Sequence, residues 1–226
     1  MKYLELSDNE VINYLSNEDI VIGQGIFGLL CEYNNDSLLK LYYKEFYKAY
    51  EMLDIEEFRK DMNINLKLMK YDMDASSRKQ RLENLYHKLQ NTSSKDLIEG
   101  IILNRNYVIG VILKYYKNYY NLIDYYNKLS NSSKIIVLKR IRELFKELID
   151  NNIYPSDIHE RNIIINNNLD VKLIDLDGYE VRVEDKKYIE RYPYIIKSCD
   201  NKIIDMEYRL KNNYSIIVWQ IIKLLF

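Results

Sequence analysis

Two short apolar runs, Asn162-Ile163-Ile164-Ile165 and Val171-Lys172-Leu173-Ile174, flank the polar turn Asn166-Asn167-Asn168-Leu169-Asp170, and they constrain this chain more than any other feature. Runs so short, rich in β-branched residues and separated by turn formers, read as the two strands of one hairpin. A hairpin brings its outer ends together, so Asn162 at one end and Asp175 at the other become neighbours. Carboxylate and amide oxygens are hard ligands of the kind Mg²⁺ takes beside water and phosphate oxygens, so the two residues can share a divalent cation. Asp157 stands in the loop just before the hairpin, within reach of a hydroxyl placed beside such a phosphate.

These residues resemble the catalytic segment of the protein-kinase superfamily. That segment runs Asp-x-x-x-x-Asn, a hairpin, then Asp-Phe-Gly; here it is Asp157, Asn162 and Asp175-Leu176-Asp177-Gly178, with the same interval from the Asn to the second Asp. The family's His-Arg-Asp is replaced by Pro155-Ser156-Asp157, so the arginine that commonly meets an activation-loop phosphate is missing. His159 stands where Ser/Thr protein kinases usually carry lysine, which is more similar to the Asp-x-His-x-x-Asn of aminoglycoside and other small-molecule kinases. The resemblance implies an α+β, two-lobed fold. Residues 1–116 would form a nucleotide-binding N-lobe of antiparallel sheet plus helix, and 117–226 a mostly helical C-lobe, either minimal or truncated.

Composition sets limits on function. A chain of 226 residues can bury a substantial core, and 33 basic against 34 acidic residues leave a net charge of -1. That balance asks for neither nucleic acid nor an anionic membrane. No apolar span is long enough to cross a bilayer and no signal-like N-terminus is present, so a cytoplasmic protein is expected. Cys31 and Cys199 lie far apart without metal or redox spacing and read as reduced packing residues.

In chain order, residues 1–18 read as a lead-in or extra strand, followed by strands over 19–22, 29–33 and 38–42. Gly23, Gly25 and Gly28 punctuate the first connection. Their spacing also fits a dinucleotide-binding fingerprint, but that requires a helix after the third glycine, and Gly28 runs into a second strand instead. A glycine-rich turn inside a strand meander fits a nucleotide flap whose backbone approaches phosphates. Lys40 sits in the third strand, where a lysine is ordinarily an edge or snorkelling residue. The resemblance gives it the nucleotide phosphates, with a helical glutamate to orient it. Glu83 is the first choice, on an amphipathic helix over 78–90 marked by Leu82, Leu85, Tyr86 and Leu89; Glu57 competes, and Asp61 or no such pair also stays open. With Glu83, residues 43–75 become a helical insertion.

Strands over 99–103 and 107–115 would complete a five-stranded antiparallel sheet, and Tyr116 opens the hinge that would contact adenine through its backbone. Tyr119, Tyr120, Tyr125 and Tyr126 read as packing residues. Ser132 or Ser133 can cap a helix over 134–150 whose stripe includes Ile135, Leu138, Ile141, Leu144, Phe145 and Leu148, and this helix would support the Asp157 loop. Residues 179–207 would form an activation and substrate-binding segment, and 215–226 an apolar helix with Asn213 before it.

The resemblance therefore implies phosphoryl transfer from ATP with Mg²⁺. Lys40, oriented by Glu83, would hold phosphates beneath Gly23, Gly25 and Gly28; Asn162 and Asp175 would carry the metal; Asp157 would take the acceptor's proton. His159 reads as structural and Asp177 as a loop-capping residue. The acceptor is either a protein or a small molecule, and a non-catalytic nucleotide-binding or interaction module is the third reading.

Overall fold

A computed structural model describes residues 1–24, 28–42, 75–155, 157–175, 179–181 and 192–212. The chain divides into two compact units: Met1–Tyr86 with Asp96–Tyr116, and His87–Lys95 with Lys117–Phe226. The fold class is α+β.

The first unit is built on a mixed six-stranded sheet in the order β1-β5-β6-β4-β3-β2. The strands are β1 (Lys2–Glu5), β2 (Val21–Gln24), β3 (Gly28–Asn34), β4 (Ser37–Tyr42), β5 (Ile98–Asn104) and β6 (Tyr107–Lys114). All neighbours are antiparallel except β1, which pairs parallel with β5. The expected five-stranded antiparallel sheet is thus corrected: the N-terminal residues add a sixth strand at the β5 edge, and the expected strand over 19–22 begins only at Val21, after a 3-10 turn over Glu18–Ile20.

Between β1 and that turn lies helix α1 (Asp8–Ser16), which the sequence reading did not assign. It opens with a capping box: the Glu10 N–H donates to Ser7 Oγ at 3.4 Å, and the Ser7 N–H donates to the Glu10 carboxylate at 2.7 Å. The Ser7 hydroxyl, donating to the Glu10 carboxylate at 2.6 Å, and after it the Ser7 N–H lower the Glu10 carboxyl from its ordinary pKa. Val11 and Leu15 of α1 join Leu29, Cys31, Leu39, Leu41 and Ile112 in one buried cluster on one face of the sheet. Burial pushes the Cys31 thiol up to about 11, as suits a packing residue. Helix α2 (Ala75–Leu89) belongs to the opposite face, where Arg78 lies 4.8 Å over the Tyr42 ring. Coverage on both faces explains why β4 is buried at nearly every position. Ala75 opens α2; the rest of the expected insertion, with Glu57 and Asp61, lies outside the described residues.

In the second unit, α4 (Asn131–Asp150) packs beside β8 (Ile153–Pro155), which pairs antiparallel with β11 (Tyr179–Val181). Before α4 come β7 (Tyr119–Asn121) and the short α3 (Leu122–Tyr125). The cap of α4 is Ser130, whose Oγ accepts from the Ser133 N–H at 3.1 Å, rather than Ser132 or Ser133. Ile135 is 70% exposed and leaves the expected stripe, while Val137 joins it. The hairpin is present as β9 (Ile163–Asn166) and β10 (Val171–Leu173), with β7 on its free side. Tyr126 is buried, and Tyr120 stacks on Tyr125 with ring centres 4.9 Å apart. The expected activation segment ends inside α5 (Tyr192–Asn212), whose Cys199, Ile203, Met206 and Leu210 face the core at helical spacing. Cys31 and Cys199 are both free and buried. Among the described residues no helix is long and apolar enough to cross a membrane.

Candidate functional site

In the first unit, strand register aligns Gly23, Leu30, Lys40, Val111, Ile101 and Tyr3 in one row across all six strands. Paired residues share a sheet face, and this row lies on the face of α2, because Glu83 of that helix accepts a 2.7 Å hydrogen bond from the Tyr3 hydroxyl. Lys79, one helical turn earlier, places its ammonium 5.2 Å from the centre of the Tyr3 ring. Accepting from Tyr3 raises that phenol above its ordinary pKa. Tyr3 is three strands from Lys40, roughly 14 Å at the spacing of neighbouring strands. The structure therefore brings Glu83 to the edge strand's Tyr3 rather than to Lys40.

Lys40 is half-buried in a central strand. Its stem runs past Gly28, where an added Cβ would lie 3.6 Å from Lys40 Cε and 2.7 Å from the Leu41 carbonyl oxygen. At Gly23 the nearest atom to an added Cβ is Leu30 Cβ, at 3.8 Å, an ordinary contact. Absence of a side chain is thus demanded by strand packing at Gly28 and by nothing among the described residues at Gly23. Gly25 lies outside the described residues, and Tyr116 is half-buried at the end of the first unit.

In the second unit, Asp157, His159 and Asn162 stand together. Asp157 Oδ2 accepts from Asn162 Nδ2 at 3.3 Å and lies 3.3 Å from His159 Nε2; the same amide nitrogen donates to the Asp157 carbonyl at 3.1 Å. His159 Nδ1 accepts the Arg161 N–H at 3.2 Å, which leaves Nε2 as the ring nitrogen that carries a proton on the side of Asp157. The Asp157 side chain is 63% exposed, so one oxygen is held while the carboxylate stays open to a ligand. Because Asn162 uses its nitrogen on Asp157, its oxygen is left as a donor of the kind a divalent cation takes.

The hairpin delivers Asp175 to this group. β9 and β10 end at the pair Ile163 and Leu173, and one step further the Ile174 N–H donates to the Asn162 carbonyl at 3.1 Å, so Asp175 follows directly on a residue bonded to Asn162. Among the described residues no cluster of three or more His, Cys, Asp and Glu side chains could hold a metal. A cation bound here would rest on Asp175, Asn162, phosphate oxygens and water, a donor set that fits Mg²⁺. Asp177 and Gly178 lie outside the described residues, as does Asn213.

The loop carrying Asp157 is held mainly by α5. Cys199 Sγ donates to the Pro155 carbonyl at 3.4 Å, and Arg209 donates to Glu160 Oε2 through Nη2 at 2.9 Å and Nε at 3.3 Å. Glu160 and Arg209 are both buried, at 1% and 8% side-chain exposure. Two residues before Arg209, Glu207 pairs with Arg142 of α4, with Nη2 to Oε2 at 2.6 Å. Asn121 of β7 adds a bond to the Arg161 carbonyl at 2.8 Å. The sequence reading gave support of this loop to α4; that helix packs on β8, while α5 supplies the direct bonds. Glu160 and Arg209 were missed, although the recurrence of Cys199, Ile203, Met206 and Leu210 marks α5 as an amphipathic helix. Compared with known proteins, the chain matches no family model and no curated sequence.

Proposed function

We propose that the chain is an ATP-dependent phosphotransferase with a two-lobed kinase-like fold, most similar in chemistry to a divergent Ser/Thr protein kinase and acting in the cytoplasm. The observation that carries this reading is the Asp157, His159, Asn162 group beside Asp175: an open carboxylate held by Asn162 with His159 3.3 Å away, next to a pair of hard oxygen ligands. Mg²⁺, when bound through Asp175 and Asn162, would neutralise charge on the nucleotide phosphates. Lys40 would hold the α- and β-phosphates, with the backbone at Gly23 free to approach them. Asp157 orients the acceptor hydroxyl and takes its proton late in transfer, as the acceptor oxygen bonds to the γ-phosphorus and the β,γ-bridging bond breaks to release ADP. Asn162 Nδ2–H holds Oδ2, so the proton goes to the other carboxylate oxygen.

Two observations favour neighbouring readings. The approach of His159 Nε2 to within 3.3 Å of Asp157 Oδ2 suits a small-molecule acceptor, in keeping with the Asp-x-His spacing of such kinases. The Tyr3 bond to Glu83 suits a nucleotide-binding module without transfer. Calorimetric titration with Mg-ATP tests the nucleotide and metal assignments that all three readings share. Asp157→Ala is expected to bind Mg-ATP as the native chain does, and Asp175→Ala to bind it weakly and with little dependence on Mg²⁺. Native binding by Asp175→Ala overturns the metal assignment, and a native chain that binds no Mg-ATP overturns the proposal.

A further inference from the structure

We propose that Glu160 and Arg209 are the positioning pair of the Asp157 loop, with α5 as the splint along which that loop is laid. The inference rests on the phosphotransfer reading of Asp157 and adds to it the residues that set where its carboxylate points. Pro155 and Glu160 bracket Asp157, and each is bonded to α5, the first through Cys199 and the second through Arg209. Those two α5 residues are about 15 Å apart along the helix axis at the rise of an α-helix, so the loop is fixed at two separated points on one rigid element. The helix is itself tied to α4 through Glu207 and Arg142.

Stability alone gives no reason for this pair. Taking two charges out of water costs more than their attraction commonly returns, and the cost rises when hydrogen-bonding capacity is unused. Glu160 Oε1 is buried with no hydrogen-bond partner among the described residues. Well-packed apolar side chains would fill the same space without that penalty. What an apolar pair cannot do is fix direction. Arg209 presents both Nε and Nη2 to one carboxylate oxygen, which sets the place of Glu160, and Glu160 opens the 3-10 turn that runs to Asn162. His159 precedes that turn and Asn162 ends it; Asn162 Nδ2 hydrogen-bonds Asp157, and His159 Nε2 lies 3.3 Å from its Oδ2. A shift of Glu160 therefore moves both neighbours of the carboxylate together. Glu160 and Arg209 touch no reacting atom and act only through His159 and Asn162.

The test is the double variant Glu160→Leu/Arg209→Met, which replaces the pair by apolar side chains and is expected to fold as stably as the native chain, with Arg209→Lys beside it, which keeps the charge and loses the fork. Three readouts are taken: thermal unfolding, steady-state transfer from Mg-ATP, and the His159 tautomer by long-range ¹H–¹⁵N correlation, which is assignable because the chain has 2 histidines. The proposal expects kcat to fall about 10- to 100-fold at unchanged Mg-ATP affinity, the usual loss when the support of a reacting group is removed. It also expects the single Nε2–H signature of His159 to give way to a mixture of tautomers. A folded double variant with native kcat and the native His159 signature overturns it. If the native chain transfers no phosphate, the phosphotransfer reading fails by itself, and the His159 signature still decides the pair: retained in the double variant, it refutes the positioning role; lost, it upholds it. If the double variant does not fold, Arg209→Lys decides by the same two signals.

Discussion

Replacing Gly28 and Gly23 by alanine separates a glycine required by the sheet from one that leaves backbone open to a ligand. A methyl group at Gly28 would stand 2.7 Å from the Leu41 carbonyl oxygen, whereas ordinary contacts begin at 3.4 Å, so β3 or β4 must yield by about 0.7 Å. Neither yields freely. Leu41 pairs with Leu29 on one side and Gly110 on the other, in a strand buried on both faces. Overpacking of this kind costs about 1–3 kcal/mol, and alanine returns about 0.5–1 kcal/mol by restricting the unfolded chain. The midpoints of those ranges leave a net loss for Gly28→Ala of about 1.3 kcal/mol, or roughly 3–5 °C in Tm for a chain of this size. At Gly23 the added methyl meets Leu30 at 3.8 Å, and no loss is expected. Thermal unfolding followed by far-ultraviolet circular dichroism measures both. If Gly28→Ala melts within about 1 °C of the native chain, or Gly23→Ala falls as far as Gly28→Ala, the packing argument is wrong. Weakened Mg-ATP binding by a fully stable Gly23→Ala variant is the companion result expected if phosphates approach that backbone.

Other perturbations reach the second unit. Arg209→Met alone strands the buried Glu160 carboxylate and should cost about 3–5 kcal/mol in urea denaturation, most of it recovered when Glu160→Leu is added; equal stability of the two variants would contradict this. Ser130→Ala removes the α4 cap and should cost about 1 kcal/mol in the same assay, against a few tenths for Ser132→Ala. The Tyr119 phenol is pushed up to about 12 by burial and by its bond to Asp170, from an ordinary value of 10.0. A phenol whose folded pKa is raised contributes stability that is complete below the unfolded value and lost as pH climbs through the folded one, so its share disappears between about pH 10 and 12. Tyr119→Phe should flatten the fall of stability across that window, and an unchanged slope would refute the assignment.

Much of the framework was legible where the signal is local. Leu38 to Tyr42, Ile163 to Ile165 and Val171 to Leu173 are short apolar runs between turn formers, and each forms a strand. Helix α1 is legible too, in Ser7-x-x-Glu10 followed by Val11 and Leu15, inside a segment that otherwise reads as a lead-in or extra strand. The α4 cap shows how fine this limit is. Three serines stand near the helix start, and the backbone placing Ser130 outside the first turn decides among them. The site divides in the same way. Asp157, Asn162 and Asp175 are linked by a loop and a hairpin, so spacing in the chain carries their proximity. The partner of Glu83 was not legible, because Tyr3 meets it only through parallel pairing of β1 with β5, a contact between residues at the two ends of the first unit. Arg209 reaches Glu160 across 49 residues, and a buried ion pair has no periodicity by which to find it.

The most direct test of the central claim is single-turnover transfer of the γ-labelled phosphate of Mg-ATP, comparing the native chain with Asp157→Asn in an extract whose protein and small-molecule fractions are then separated. The account predicts label in one of those fractions, lost about 10²- to 10⁴-fold in Asp157→Asn while Mg-ATP affinity is unchanged, since the variant keeps the shape of the side chain and removes the proton acceptor. Transfer by Asp157→Asn at the native rate, or no transfer by a native chain that binds Mg-ATP, would contradict it.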